Sequence, residues 1–227
     1  MKVFRHLPNA LTAGNLVCGV YGILHAAEWA LLLPAYCVWL ACVFDFFDGF
    51  SARALHVSSP IGKELDSLAD VVSFGVLPGL TLYYAMQQAG LDVFAYSAII
   101  VPVASAFRLA KFNVDTRQAE GFIGLPTPAN ALLLTALPAI EPLVNLRGAA
   151  GLVWVGIAAI SSWLLVSPIR LFALKFKTFA WKGNEIKFTF LLLAVCLIAF
   201  GGVIALPVTI VLYICMSVVS GWLGKES

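Results

Sequence analysis

The chain has very little charge. Of its 227 residues only 11% are charged, whereas 61% are hydrophobic and the mean hydropathy is +0.95. A soluble globular domain carries about 25% charged residues, so this composition excludes that class. No polar stretch is long enough to form a separate soluble domain. We therefore interpret residues 1–227 as a single membrane domain.

The sequence also lacks the residue patterns of several common kinds of site. Its five cysteines lie in apolar runs without the C-x2-C spacing of a metal or redox site, which favours reduced thiols that pack as small hydrophobic groups. The three histidines are scattered singly. The net charge of +2 indicates no nucleic-acid partner.

Long apolar runs are what the sequence does contain. Runs of about 20 residues recur from one end to the other, and that length crosses a bilayer as a helix. The sequence therefore predicts an all-α polytopic membrane protein with about eight transmembrane helices. The predicted spans are residues 9–27, 31–51, 65–86, 93–112, 126–143, 149–170, 187–204 and 206–223.

The distribution of basic residues predicts how these spans are oriented. Loops on the cytoplasmic side of a membrane are enriched in Lys and Arg. If the N-terminus is cytoplasmic, 13 of the 14 basic residues fall on that side and only Arg147 falls outside. We therefore expect a multi-pass protein of the cell (cytoplasmic) membrane with both termini in the cytoplasm.

Acidic residues are rare but concentrated. The chain has twelve, and five of them fall between Asp45 and Asp70, at the predicted cytoplasmic face. Asp48 lies three positions after Asp45 and Asp70 four positions after Asp66, so each pair shares one face of its helix. A turn between the two helices would bring all four together. Carboxylates within a membrane protein are costly and usually functional.

Four converging carboxylates repel one another unless a cation compensates them, and Mg²⁺ or Mn²⁺ is typical of an all-oxygen site. Gly49 and Ala52 lie beside the acids and would let a bulky ligand approach the backbone. Arg53 offers a planar donor group suited to phosphate. Together these residues indicate phosphoryl-type chemistry. The alternative is an ion or proton pathway in a transporter, which also uses carboxylates within the membrane.

The spacing D-x2-D-G-x2-A-R-x8-G-x3-D-x3-D, complete between Asp45 and Asp70, resembles the signature of the CDP-alcohol phosphatidyltransferase family. This resemblance implies a helical membrane enzyme, expected to be a homodimer, that moves a phosphatidyl group from a CDP-linked lipid to an alcohol and releases CMP. It further implies that Asp70 is the general base for the acceptor hydroxyl. By the same resemblance one or two Mg²⁺ or Mn²⁺ ions are held by Asp45, Asp48, Asp66 and Asp70.

The family resemblance also implies a binding site for the CDP-linked lipid. Part of it comes from small residues and the arginine of the signature, and part from an upstream P-N-x2-T segment that is similar to the entry segment of the family. The residues expected to bind the CDP-lipid are Asn9, Thr12, Gly49, Ala52, Arg53 and Gly62.

Three further stretches resemble one branch of the family, the bacterial and archaeal phosphatidylserine synthases. They are SPIGKELDSLADVVSFGVLPG, ASAFRLAKFNV and GLPTPANA, and with them the resemblance extends from about residue 5 to residue 131. It implies CDP-diacylglycerol and L-serine as substrates, together with contact with membrane lipids.

A serine acceptor brings a carboxylate, which a guanidinium can hold through two hydrogen bonds. We expect Arg108, Lys111 and Asn113, at the end of the fourth predicted span, to bind serine. The alternatives are that these residues anchor the span at the membrane surface or hold the substrate phosphates. Glycerol phosphate, inositol phosphate or choline as acceptor, and a CDP-linked archaeal ether lipid as donor, also remain open.

Overall fold

A computed structural model describes residues 6–57, 59–114, 122–140, 151–172, 181 and 184–222. The described part of the chain is mostly helical. The ends of three predicted spans, at residues 141–143, 149–150 and 223, lie outside it. So do several basic residues on which the predicted orientation depends, namely Lys2, Arg5, Arg117, Arg147, Lys175, Lys177, Lys182 and Lys225.

The first two long helices form an antiparallel hairpin. Helix α1 (Leu7–Leu24) and helix α2 (Leu33–Ala54) each carry a proline in the first turn, where the missing N–H leaves no helical hydrogen bond unmade. A short 3-10 segment, Ala26–Leu31, joins them. Thr12 of α1 contacts Asp48 near the end of α2, whereas a Cβ built on Gly22 would lie 3.0 Å from Cys37 Cβ. The two contacts establish the antiparallel arrangement.

The next helical segment is interrupted by a π-helical turn. Helix α3 (Pro60–Asp70) runs into the π turn (Val71–Val76) and then into helix α4 (Leu77–Gln88). The segment begins five residues before the predicted position because the Ser59 hydroxyl accepts a hydrogen bond from the Gly62 N–H and caps the helix. Isolated π turns inside helices occur frequently at functional sites.

The remaining helices follow in chain order, and the last two fold back on each other. The rings of Phe190 and Tyr213 have centroids 5.5 Å apart although each lies well away from the turn between their helices. The elements are a 3-10 segment (Phe94–Ile99) leading into α5 (Ile100–Val114), α6 (Thr127–Ala136) followed by a 3-10 segment (Leu137–Ile140), α7 (Leu152–Val166), α8 (Glu185–Gly201), a 3-10 turn (Gly202–Ala205) and α9 (Leu206–Trp222).

The prediction of a helical chain is confirmed, and its apolar helices are consistent with a membrane protein. Among the described residues five helical segments are long and apolar enough to cross a membrane, and Leu152–Val166 is a shorter apolar helix. Many large apolar side chains, such as Phe200 at 93% exposure, cover the outer surface, as expected for a face in contact with lipid. The number of eight spans and the position of the termini stay predictions. The five segments are Leu7–Leu24, Leu33–Ala54, Pro60–Gln88, Phe94–Val114 and Glu185–Gly221.

A short pair of strands was not predicted from the helical sequence pattern. Strand β1 (Phe122–Ile123) pairs antiparallel with strand β2 (Arg170–Leu171). Directly after β1, Gly124 has φ +78° and donates its N–H to the Ile169 carbonyl oxygen at 2.8 Å. This connection ties the segment before α6 to the end of α7.

The core lies around the segment formed by the π turn and α4. Phe74 and Leu77 pack with Val38 of α2, and Leu82 packs with Trp154 of α7 in a second cluster. All five side chains are essentially buried. The carboxylates of α3 are therefore carried on a segment that is held in the centre of the bundle.

The close approach of α1 to the π turn gives a stability prediction. A Cβ built on Gly19 would lie 2.9 Å from the Ser73 Cα atom, which is backbone and cannot move aside cheaply. Gly19→Ala is therefore expected to destabilise the protein by about 1–3 kcal/mol, the usual cost of overpacking. The measurement is the thermal unfolding midpoint of purified protein in detergent.

The matched control is Gly156→Ala in α7, where an added Cβ meets no atom within 4 Å. That change should leave the midpoint unchanged or raise it slightly, because alanine favours the helix by about 0.5–1 kcal/mol over glycine. Equal midpoints for the two variants would contradict tight packing of α1 against the π turn.

Candidate active site

Four helix ends meet at one end of the bundle. At the start of α3, a Cβ built on Gly62 would lie 3.1 Å from Asn9 Oδ1 of α1. Lys63 Nζ donates a hydrogen bond of 2.9 Å to the carbonyl oxygen of Asn113 at the end of α5. Together with the contact between Thr12 and the end of α2, these contacts gather the predicted site residues of four helices at one end.

Three of the four signature carboxylates form a compact triad, made of Asp45, Asp48 and Asp66. One oxygen from each lies within 4.8 Å of the others. Asp45 and Asp48 come from α2 and Asp66 from α3, so the turn between the helices does bring the two pairs together. The hairpin predicted from the spacing is therefore present.

The donor atoms of the triad suit a hard divalent cation, because all are carboxylate oxygens. Asp66 Oδ1 is buried and has no hydrogen-bond partner among the described residues. A buried, unpaired carboxylate oxygen is costly, and a bound cation would relieve that cost. Asp45, Asp48 and Asp66 thus fit the Mg²⁺ or Mn²⁺ implied by the family resemblance.

Thr12 holds one member of the triad in place. Its Oγ1 lies 2.6 Å from Asp48 Oδ2, to which it donates a hydrogen bond. The Ser51 hydroxyl donates to the backbone carbonyl oxygen of Asp48. Thr12 was predicted to contact the CDP-lipid, and the structure adds a contact with a carboxylate of the predicted metal site.

Asp70 lies beside the triad at the junction of α3 and the π turn. Charge–charge interactions link it to Asp45, Asp48 and Asp66. Its Oδ1 accepts a hydrogen bond of 3.0 Å from Asn15 Nδ2. Three predicted metal ligands thus form one compact set, and the predicted general base lies next to it.

Asn15 is a site residue that the sequence analysis missed. The available signal is a polar stripe on an otherwise apolar helix, because Asn9, Thr12 and Asn15 follow one another at intervals of three residues along α1. The structure shows that all three face the signature helices. Asn9 lies near Gly62, Thr12 bonds to Asp48, and Asn15 bonds to Asp70.

The small residues of the signature leave space beside the acids. A Cβ on Gly49 would lie 3.4 Å from Arg53 Nη1, so the guanidinium extends along the open face of the glycine. Arg53 is exposed, whereas Ala52 is half-buried. The arrangement leaves the Arg53 guanidinium accessible near the triad, which suits recognition of a phosphate group.

Arg108 is buried in the bundle at 6% exposure. Its Nε and Nη2 atoms have no hydrogen-bond partner within the described part of the chain. Its guanidinium carbon lies 5.8 Å from the centre of the Phe112 ring, and its charge interacts with that of Asp70. Two unpaired donors on a buried guanidinium indicate a site for an anionic ligand group.

The two residues predicted to act with Arg108 are not buried with it. Lys111 is exposed. Asn113 Nδ2 donates a hydrogen bond of 2.7 Å to Ser67 Oγ, which joins the end of α5 to α3. Of the three predicted serine-binding residues, Arg108 is the one that lies buried in the bundle. The roles of Lys111 and Asn113 in binding serine stay predictions.

Sequence comparison finds relatives with one shared name. A CDP-diacylglycerol–serine O-phosphatidyltransferase of Helicobacter pylori is 35% identical over 167 residues, covering 72% of this chain and 70% of the relative. A Bacillus subtilis protein of that name is 30% identical over 167 residues, covering 73% and 89%. One from Methanocaldococcus jannaschii is 44% identical over 128 residues, covering 56% and 58%.

The family model for CDP-alcohol phosphatidyltransferases matches residues 5–141. This range includes the complete signature, the polar stripe of α1 and Arg108. The resemblance predicted from the signature is therefore confirmed over more than half of the chain. The protein is a member of the CDP-alcohol phosphatidyltransferase family.

Proposed function

We propose that this enzyme transfers the phosphatidyl group of CDP-diacylglycerol to the hydroxyl of L-serine, giving phosphatidylserine and CMP. The observation that carries the proposal is the position of Asp70. It lies beside the carboxylate triad, and its charge interacts with that of the buried Arg108. This arrangement supports binding of a diphosphate and an acceptor next to a candidate base. The shared name of the relatives supports serine as the acceptor.

In the proposed site Asp45, Asp48 and Asp66 hold one or two Mg²⁺ or Mn²⁺ ions, with Asp70 able to contribute an oxygen. When bound, such an ion neutralises diphosphate charge and stabilises the leaving group. Thr12 keeps the Asp48 carboxylate oriented. Arg53 and the open face of Gly49, with Asn9, Ala52 and Gly62, accommodate the CDP part of the donor.

The proposed reaction is a substitution at phosphorus. Asp70 accepts the proton of the serine hydroxyl, whose oxygen forms a bond to the phosphorus that bears the diacylglycerol. The bond from that phosphorus to the bridging oxygen of the diphosphate breaks, and CMP leaves with the electron pair. The protein contributes chiefly by holding both substrates in register.

Arg108 is the proposed partner of the serine carboxylate. A planar guanidinium with two free donors matches a carboxylate, and a buried position strengthens the pairing.

We further propose that both termini and this site face the cytoplasm, that eight helices span the membrane, and that the enzyme is a homodimer. The basic-residue distribution supports the orientation, and the family resemblance supports the dimer.

The test is CMP release by purified protein in detergent with CDP-diacylglycerol and Mn²⁺, with and without L-serine. Release that depends on serine is expected. Release with glycerol phosphate, inositol phosphate or choline instead would keep the family reaction and overturn the serine assignment. Metal flux through reconstituted vesicles without CMP release would favour a transporter.

Replacing Arg108 tests the acceptor site. Arg108→Lys keeps the positive charge but loses the planar pair of donors. We expect the KM for serine to rise about tenfold or more, which corresponds to the loss of one charge-assisted hydrogen bond, while the KM for CDP-diacylglycerol stays within about twofold. The measurement is steady-state CMP release at varied concentrations of each substrate.

Phe107→Leu serves as the control for this change, because Phe107 precedes Arg108 on the same helix but is 68% exposed. It should leave both KM values unchanged. A rise in the KM for the CDP-lipid rather than for serine in Arg108→Lys would place the guanidinium on the donor phosphates.

A further inference from the structure

Asn15 is a fully buried polar residue in an apolar helix. Its exposure is 0%, and its Nδ2 donates to Asp70 Oδ1 at 3.0 Å. The two residues are 55 positions apart in the chain, so this contact depends on the packing of α1 against α3. Because no part of Asn15 reaches the surface, its side chain does not face a substrate directly, and the side-chain contact through which it would act on one is that with Asp70.

The other two polar atoms of Asn15, its side-chain oxygen and its backbone carbonyl oxygen, have different surroundings. Its Oδ1 is buried and has no hydrogen-bond partner among the described residues, so the contact with Asp70 is made by an amide of which the oxygen is unsatisfied. Its backbone carbonyl oxygen accepts a hydrogen bond of 3.0 Å from Ser73 Oγ in the π turn. One residue of α1 thus contacts both Asp70 and the turn that follows it.

We infer that Asn15 is a positioning residue for Asp70, whose amide holds one carboxylate oxygen and leaves the other for the reacting groups. An amide donor suits this place because it fixes the carboxylate without adding charge next to the acids of the triad. The hydrogen bond occupies Oδ1, which leaves Oδ2 as the oxygen available to the acceptor hydroxyl. This inference rests on the proposed function, in which Asp70 is the base.

Asn15→Leu is the variant that tests the inference. Leucine has the same branched arrangement of side-chain heavy atoms as asparagine and suits a buried helical position, although its methyl groups make it larger, and it has no donor for Asp70. The Ser73 hydrogen bond uses the backbone oxygen and is kept. We expect kcat for CMP release to fall by about 10- to 100-fold, as for loss of other groups that orient a site residue, with the KM of both substrates within about twofold.

Two further measurements separate positioning from a general structural role. CDP-diacylglycerol binding, measured by calorimetry in detergent, and the thermal unfolding midpoint should both match the unchanged protein. Cys18→Ala is the matched control, since Cys18 is buried one turn further along α1 and lies outside the proposed site. It should leave kcat and KM unchanged. If Asn15→Leu does not fold, Asn15→Ala removes the same donor without adding bulk.

The outcomes are distinct. A kcat within twofold of the unchanged enzyme in folded Asn15→Leu would overturn the inference. A fall in kcat accompanied by weaker CDP-lipid binding or a lower unfolding midpoint would overturn it too, because Asn15 would then support the whole site. If the unchanged protein itself releases no CMP with serine, the proposed function fails instead.

Discussion

Asp70→Asn is expected to abolish turnover while leaving CDP-lipid binding largely intact. An amide at this position keeps an oxygen that can accept the Asn15 hydrogen bond, but it cannot accept the proton of the acceptor hydroxyl. Loss of a general base costs about 10²- to 10⁴-fold in rate. The measurement is CMP release under single-turnover conditions, together with calorimetric binding of CDP-diacylglycerol.

The same variant separates the two predicted roles of Asp70. The carboxylate lies beside the triad but outside the set whose oxygens are within 4.8 Å of one another. We therefore expect Mn²⁺ affinity to fall less in Asp70→Asn than in a triad variant. Stability should be unchanged or higher, because one of several mutually repelling carboxylates is removed. Turnover like that of the unchanged enzyme would remove Asp70 as the base.

Asp66→Asn is expected to remove both metal binding and activity. Asp66 supplies the triad oxygen from α3, and its Oδ1 has no other partner in the described residues. Loss of a group that merely supports a metal ligand costs about 10- to 100-fold, so loss of a ligand should cost at least about 100-fold. The measurements are Mn²⁺ binding by electron paramagnetic resonance and CMP release at increasing Mn²⁺ concentration.

Glu64→Gln is the control for Asp66→Asn, since it removes an exposed carboxylate two residues away on the same helix. It should keep both metal binding and turnover. Partial recovery of Asp66→Asn at high Mn²⁺ would support a weakened metal site. Unchanged Mn²⁺ binding in Asp66→Asn would show that the triad does not hold the ion.

The helical class and the acidic site could be predicted from the sequence because both depend on local spacing. Apolar runs of about 20 residues specify membrane helices whatever their neighbours are. The intervals from Asp45 to Asp48 and from Asp66 to Asp70 place each pair on one helix face. Because the connection between the two helices is short, the two pairs of carboxylates lie close together. The triad in the structure follows from these intervals.

Other features depend on contacts between residues far apart in the chain, and no local pattern specifies them. The hydrogen bond from Asn15 to Asp70 requires α1 to lie against α3. The pairing of Phe122–Ile123 with Arg170–Leu171 requires α7 to return to the start of α6. The local sequence of each segment does not predict the contact that it makes.

The predicted serine site also combines a feature set by local spacing with one set by tertiary packing. The interval of three residues places Arg108 and Lys111 near one helix face, and sequence reasoning treated them alike. In the structure Arg108 is buried and Lys111 is exposed.

The sequence by itself determined the helices, the signature carboxylates and the family. Only the tertiary structure decided which polar side chains meet inside the bundle, because burial and partners are set by the packing of helices that are distant in sequence.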